Sequence, residues 1–271
     1  MATSEAPPYA IVIPARFEST RFPGKPLVGL RGAGGVIKPL IQRSWEAAVA
    51  AAGREMVWVA TDDDRIAEAV RGFGGQLVMT SEQCRNGTER CAEAIHQLPG
   101  RPPIIVNLQG DAPLTPPGLI EALVAMLEKD ARLAMTTPAI RCSATTYRHL
   151  ATDSAEGRVG GTTVLFNRLQ QALYFSKRIL PYIPDAAPAP HQHVHLHLGL
   201  YAYRRDDLIR YAAAPPSDLE QLEGLEQLRF LDQGQTVGVL PIDPVGWDCI
   251  ELNNPSDVPA IEAVLSQRGL E

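Results

Sequence analysis

Short apolar runs alternate along the chain with stretches whose apolar residues recur every three to four positions. The runs are Tyr9-Ala-Ile-Val-Ile-Pro14, Met56-Val-Trp-Val-Ala60, Gln76-Leu-Val-Met-Thr80, Pro103-Ile-Ile-Val-Asn107 and Leu133-Ala-Met-Thr-Thr137. Their length and β-branched content predict strands buried on both faces, as in a parallel sheet. The periodic stretches predict helices from about Ile37 to Ala52, from a cap at Asp64 to about Gly72, over Thr88 to Leu98, and onward from Pro116. Strands alternating with helices predict an α/β fold, a mostly parallel twisted sheet covered by helices on both faces. The pattern is regular over 1–140 and less so over 141–271. There Thr162 to Phe166, Val194 to Tyr203 and Thr236 to Ile242 read as strands, and the part adds antiparallel strands. Leu219 to Gln233 reads as one amphipathic helix and Pro255 to Gln267 as a terminal one.

Composition changes this picture little. Of 271 residues, 45% are hydrophobic and 21% charged, ordinary for a globular chain, and the length supports a sizeable core. The formal net charge of −6 argues against a nucleic-acid surface, because phosphate backbones need a basic face. It leaves room for a small anionic substrate held by a few focused cations. Cys84, Cys91, Cys142 and Cys249 form no CxxC pair, so they are expected as free thiols of a reducing compartment. The N-terminal residues lack the basic and apolar regions of a signal peptide, and no apolar run has the roughly 20 residues of a membrane span. A cytoplasmic protein without membrane or nucleic-acid partners is expected.

In open parallel sheets ligands bind at the carboxyl ends of the strands, and three such ends carry chemistry here: those after Pro14, Ala60 and Asn107. After the first come Arg16, Ser19, Thr20, Arg21, Gly24 and Lys25, three cations and two hydroxyls around a glycine. A loop of that composition wraps a polyphosphate with charge and backbone N–H groups. After the third comes Asp111, preceded by Gly110, a carboxylate suited to a magnesium ion on a triphosphate. Asp62, Asp63 and Asp64 offer a competing acidic cluster, although the helix that follows favours a capping role for Asp64.

The stretch Ile13-Pro-Ala-Arg-Phe-Glu-Ser-Thr-Arg-Phe-Pro-Gly-Lys-Pro-Leu27 resembles the N-terminal signature of the CMP-KDO synthetases, the 3-deoxy-manno-octulosonate cytidylyltransferases, IPARxxSTRxPGKPL. The resemblance continues in order through Ala60-Thr-Asp62, Asn86-Gly-Thr-Glu-Arg90, Val106-Asn-Leu-Gln-Gly-Asp-Ala-Pro113, Ala172-Leu-Tyr-Phe-Ser-Lys177, His197-Leu-Gly-Leu-Tyr-Ala-Tyr203 and Leu225-Glu-Gln-Leu-Arg229. It implies a Rossmann-like nucleotidyltransferase fold and transfer of CMP from CTP to a small acidic acceptor with loss of pyrophosphate. It assigns residues 1–140 to nucleotide binding, and 141–271 to acceptor binding and to a homodimer interface, completing the same sheet. Lys25, Arg16 and Asp111 would be catalytic. Pro14, Ala15, Arg16, Ser19, Arg21, Gly24, Lys25, Arg90 and Gln109 would bind the nucleotide. Gln109, Lys177, His197, Tyr201, Glu226 and Gln227 would bind the acceptor. Asp111 and Asn253 would hold Mg2+.

Three positions depart from the family pattern. Asn253 stands in Glu251-Leu-Asn-Asn-Pro-Ser-Asp257 where the family carries a second metal aspartate, so Asp248 or Glu251 could substitute for it. Thr163 stands at a lysine position, and Lys177 replaces an arginine, exchanging a planar fork for a point charge. These changes fall on acceptor or metal positions, which leaves two acceptors open: a KDO-type sugar acid and a small phosphonate such as phosphonoformate. Two rival readings remain. His191, His193, His195 and His197 would share one strand face at period two and could form a metal-binding module. A non-catalytic nucleotide-binding regulator would use the same loops. Arg31-Gly-Ala-Gly-Gly35 lacks the full GxGxxG and is expected as a surface insertion.

Overall fold

The computed structural model describes residues 8–18, 22–184, 186–247 and 249–271. Ser19, Thr20, Arg21 and Asp248 lie outside the described residues. In chain order the strands and helices are β1 (Tyr9–Ala15), β2 (Gly29–Arg31), β3 (Ile37–Pro39), α1 (Leu40–Ala52), β4 (Val57–Thr61), α2 (Asp64–Gly72), β5 (Gln76–Met79), α3 (Gly87–Ala94), β6 (Ile104–Leu108), α4 (Leu119–Lys129), β7 (Leu133–Arg141), α5 (Ala144–Ala155), β8 (Thr163–Phe166), β9 (Ala172–Ser176), β10 (His195–His197), β11 (Leu200–Arg204), α6 (Arg205–Ala213), α7 (Asp218–Glu223), α8 (Leu228–Asp232), β12 (Thr236–Ile242) and α9 (Val258–Gln267).

Two compact units emerge, and they are not consecutive halves. The first comprises residues 1–121, 204–212 and 247–271, the second 122–203 and 213–246. In the first unit, β5, β4, β1 and β6 pair in that order, all parallel. Every residue of β4 and β6, and all of β1 after Tyr9, is buried, the signature of strands covered on both faces. The glycine-rich segment after Arg31 turns an antiparallel hairpin between β2 and β3, outside the parallel sheet. The expected helix from Ile37 therefore starts only at Leu40, because Ile37–Pro39 is the hairpin's second strand. The terminal helix α9 returns to pack Ile261, Val264 and Leu265 against Leu30, Leu40, Leu114 and Leu252.

In the second unit β7 is central. β12 runs parallel to it, while β10 and β11 pair with it antiparallel; β8 and β9 extend the sheet antiparallel from β10. The antiparallel addition expected from the sequence is present. The expected long helix over Leu219 to Gln233 is instead two short ones. Gly224 ends α7 with φ 60°, a left-handed conformation that a continuous helix cannot contain. The expected four-histidine strand face is also broken. Pro190–His193 forms a 3-10 turn, and only His195–His197 is strand. Period-two spacing therefore does not align the four imidazoles, and among the described residues no three His, Cys, Asp or Glu side chains cluster as a metal site.

Candidate active site

The first unit brings the loops after β1 and β6 together. Gly24 donates its N–H to the Phe17 carbonyl at 2.9 Å, closing the basic loop on itself. Its φ of 70° lies in the left-handed region, and a Cβ there would sit 3.1 Å from the Phe17 ring, so the position requires glycine. Lys25 follows at once, opening a 3-10 turn. Its Nζ lies 2.5 Å from Asp111 Oδ2, both side chains partly buried. The residue expected to hold phosphate and the residue expected to hold metal are thus partners, although 86 positions apart. Arg16, at the end of β1, is exposed and has no partner among the described residues.

Close approach behind the pair depends on two glycines. A Cβ on Gly110 would lie 3.0 Å from the Pro14 carbonyl oxygen, so this glycine lets the ends of β1 and β6 meet. A Cβ on Gly87, at the start of α3, would lie 3.0 Å from Gln109 Nε2 and 3.2 Å from the Pro14 ring. Gln109 itself donates from Nε2 to Asn107 Oδ1 at 3.3 Å. Pro14, Ala15, Gln109 and Asp111 therefore share one end of the parallel sheet. Leu252 donates its backbone N–H to the Asp111 carbonyl at 2.9 Å, which ties the segment that carries Asn253 to the loop after β6. Asp257 accepts from the Asn253 and Asn254 N–H groups and fixes that turn.

Arg90 is 3% exposed and its guanidinium donates to Asp62 Oδ2 and Thr80 Oγ1, each at 2.6 Å. It ties α3 to the segments that follow β4 and β5. The three consecutive aspartates divide their work and form no cluster. Asp62 pairs with Arg90. Asp63, not the expected Asp64, caps α2 by accepting from the Arg65 N–H at 2.9 Å. Asp64 is the first helical residue, where a carboxylate favours the helix dipole. The Arg65 side chain holds the Asp63 carboxyl below its ordinary range.

The second unit gathers the other expected residues around β9, β10, β11 and the α7–α8 turn. Phe175, His197, Tyr201, Tyr203 and Phe230 form a column of aromatic contacts with successive ring centroids 5.2, 5.4, 5.8 and 5.6 Å apart. His197 Nε2 lies 2.9 Å from Thr137 Oγ1. Burial pushes its pKa down to about 3, with no charged neighbour contributing, so the ring is neutral at physiological pH. Gln227 is 2% exposed and its Nε2 has no partner among the described residues, an orphan donor that costs about 1–3 kcal/mol unless a ligand accepts from it. Glu226 beside it is half-buried. Lys177 is exposed, and its Nζ lies 2.8 Å from where a Gly224 Cβ would stand.

Thr163 has a structural task at its buried position. Its hydroxyl donates to the Arg178 carbonyl at 2.6 Å and accepts from the Leu180 N–H at 3.1 Å, tying β8 to the segment after β9. The sequence does not single out Glu223, Thr137 and Gly87 as site residues: Thr137 reads only as part of a strand and Gly87 only as part of the Asn86–Arg90 motif. Glu223 accepts from Ser176 Oγ at 2.7 Å and from the Lys177 N–H at 3.0 Å, locking the end of β9 to α7. A glutamate just before a helix-ending glycine carried no signal of that contact. None of the four cysteines is in a disulfide. Burial and the Glu93 carboxylate push the Cys84 thiol up to about 12, and burial pushes Cys142 up to about 11.

Comparison with known proteins agrees with this arrangement. A family model described as Cytidylyltransferase matches residues 10–237. The 3-deoxy-manno-octulosonate cytidylyltransferase of Maricaulis maris (strain MCS10) is 42% identical over 258 residues, 95% of this chain and 97% of the relative. That of Escherichia coli is 38% identical over 257 residues, covering 95% and 96%. One from Arabidopsis thaliana, described as mitochondrial, is 39% identical and covers 96% and 83%. A solved structure of CMP:2-keto-3-deoxy-manno-octonic acid synthetase complexed with CTP superposes with a TM-score of 0.80 at 36% identity, covering 96% of this chain and 99% of that one. Identity of this level, along nearly the whole of each chain and through both loops of the Lys25–Asp111 pair, places the protein in the cytidylyltransferase family, among the 3-deoxy-manno-octulosonate cytidylyltransferases.

Proposed function

We propose that the chain transfers CMP from CTP to a KDO-type sugar acid, releasing pyrophosphate, in a magnesium-dependent reaction. The observation that carries the reading is the Lys25–Asp111 contact of 2.5 Å, a phosphate-binding cation and a metal-binding carboxylate at adjoining strand ends. The donor set suits magnesium. Asp111 offers a carboxylate oxygen and Asn253, the residue after the Leu252–Asp111 backbone bond, an amide oxygen, both hard ligands. A bound magnesium ion would neutralise triphosphate charge and polarise the α-phosphate.

The chain's own residues supply positioning and charge. On nucleotide binding Lys25 exchanges the Asp111 carboxylate for phosphate oxygens, and Arg16 adds a second cation from the end of β1. The acceptor hydroxyl oxygen attacks the α-phosphorus in line, the bond to the bridging oxygen of pyrophosphate breaks, and Lys25 offsets the charge that leaves. The hydroxyl proton passes to solvent. Catalysis of this kind is electrostatic stabilisation in a preorganised site, without a covalent enzyme intermediate. In the second unit, Gln227 offers its orphan donor to a carboxylate or hydroxyl of the acceptor, and Lys177 offers a point charge.

A small phosphonate acceptor, left open by the departures at Thr163, Lys177 and Asn253, finds no counterpart in the names of the relatives above, whereas the sugar acid does. We further propose a homodimer formed through the second unit, where Leu169, Leu173, Tyr182 and Leu222 are 60–87% exposed. A cytoplasmic setting fits four cysteines outside any disulfide, and among the described residues no helix is long and apolar enough to cross a membrane. The test is pyrophosphate release from CTP and magnesium with KDO, run beside phosphonoformate, with products identified by phosphorus NMR. Turnover with KDO is expected. Turnover with the phosphonate alone would overturn the acceptor, and silence with both would overturn the enzymatic reading.

A further inference from the structure

Thr137 lies on β7, in a run read from the sequence only as a strand, and its hydroxyl faces two partners at once. It donates to the Leu200 carbonyl at 2.8 Å and contacts His197 Nε2 at 2.9 Å. A hydroxyl has one proton to give. The Leu200 carbonyl has the stronger claim on it. Ala202 stands opposite Thr136 in the β7–β11 register, which sets Leu200 opposite Pro138, a residue with no N–H to donate. Leu200 is 1% exposed, so water does not replace that bond. With its proton committed, Thr137 Oγ1 can only accept from the imidazole, and His197 must carry its proton on Nε2.

The second ring nitrogen is then fixed as well. Nδ1 holds a lone pair and has no partner among the described residues. Phe175 and Tyr201 flank the ring as aromatic neighbours and bring no charge to it. A ring that is neutral at physiological pH and carries a lone pair on Nδ1 accepts a hydrogen bond; it does not attract an anion. We infer that Thr137 is a positioning residue that locks His197 as the Nε2–H tautomer, so that Nδ1 accepts a hydrogen bond from a hydroxyl group of the acceptor substrate. The ligand half of this inference rests on the sugar-acid reading above, and it refines that reading. A polyhydroxy acid presents hydroxyl donors to Nδ1. A fully ionised phosphonate with no O–H sets its own lone pairs against that of the ring. His197 thereby selects hydroxylated acids over bare anions, while Gln227 and Lys177 serve the negative charge.

The test begins on the ligand-free full chain labelled with 15N-histidine. Two-bond proton–nitrogen correlation spectra between pH 5.5 and 8 should give His197 the Nε2–H pattern, unchanged across the range. An Nδ1–H pattern, or titration with an ordinary histidine midpoint, would overturn the tautomer assignment whatever the substrate proves to be. Thr137→Val keeps the side-chain shape and removes the acceptor. It should mix the tautomers and raise the KM for KDO about tenfold, leaving kcat and the KM for CTP within about twofold. Thr137→Ser should restore both spectrum and KM. An unchanged KM for KDO in a Thr137→Val protein with scrambled tautomers would refute the substrate role. Should Thr137→Val fail to fold, the wild-type spectrum and the Nδ1 shift on adding KDO still decide. Absence of turnover with KDO in the wild type would defeat the acceptor reading and leave the tautomer result standing.

Discussion

Neutralising Asp111 without changing its shape separates the two roles that the Lys25–Asp111 pair plays. In the ligand-free protein Lys25 is held by a carboxylate 2.5 Å away, with 18% and 22% of the two side-chain surfaces exposed. Exposed pairs contribute about 0.2–1 kcal/mol, and breaking buried ones costs about 3–5, so a pair this far enclosed is worth about 1–2 kcal/mol. CTP that arrives without metal must break the pair and also bring a polyanion against the freed carboxylate. Asp111→Asn removes both penalties. Metal-free CTP should therefore bind about five- to thirtyfold more tightly to the variant, the same 1–2 kcal/mol expressed as affinity. Turnover with magnesium should meanwhile fall at least a hundredfold, because the carboxylate proposed to hold the ion is gone. Titration calorimetry in excess chelator gives the first quantity and pyrophosphate release the second. Thermal unfolding serves as the control, with a drop of a few degrees expected for a lost pair of this strength. Weaker metal-free CTP binding in a folded variant would show that Lys25 is not held back by Asp111, and the reasoning would fall.

Three further outcomes follow from particular contacts. Glu220 and Arg229 form a buried two-point ion pair, both bonds at 2.6 Å, across the α7–α8 turn that carries Glu226 and Gln227. Glu220→Gln should cost about 3–5 kcal/mol in urea unfolding, and a loss under about 1 kcal/mol would contradict the pair's burial. Gly24→Ala forces φ 70° on a residue with a Cβ and presses it on Phe17; about 1–3 kcal/mol of stability and a severalfold rise in the KM for CTP are expected, since Lys25 is the next residue. His197 is held at about 3 against an ordinary 6.5, so between those values the unfolded chain binds the extra proton and stability falls as pH falls. The contribution is absent above about pH 7 and reaches about 3 kcal/mol of lost stability near pH 4. Burial lowers His195 in the same direction. Urea titrations of wild type and His197→Phe should diverge in slope only below about pH 6.5, and parallel curves would refute the low value.

What the sequence disclosed divides along physical lines. Strands β1, β4 and β6 were legible because a strand buried on both faces must be apolar throughout, which leaves an uninterrupted run. Helix α5 was not, since only Leu150 among its twelve residues is fully buried and its periodicity is faint; the Ser143 cap was the one available sign. The apolar stripe over Leu219 to Gln233 was real, and Gly224 nevertheless broke it, because periodicity reports the burying face and says nothing about φ. At the site, the residue types and loops were legible, largely through the family resemblance. The pairings were not. Lys25 meets Asp111 and Arg90 meets Asp62 across long stretches of chain, and glycines at 24, 87 and 110 permit close approaches around them that no local pattern encodes. Thr137 lay deeper still, its role set by a proline at the neighbouring position that left a carbonyl in want of a donor.

The two units answer the same difficulty in opposite ways. An acidic chain with a net charge of −6 must hold anionic substrates without holding every anion it meets. In the first unit the cation is covered by its own carboxylate, so a free phosphate gains only the difference between one anionic partner and another. A triphosphate that brings a divalent ion satisfies both halves of the pair together, the cation with oxygen and the carboxylate with metal, and only such a ligand recovers the full interaction. In the second unit charge is withheld from His197, whose neutral ring asks for a hydroxyl, and a buried amide at Gln227 waits for an oxygen. Selectivity at both places arises from groups that are poorly satisfied by water and by simple ions, since leaving a buried donor or a paired charge without its complement is what costs the wrong ligand most.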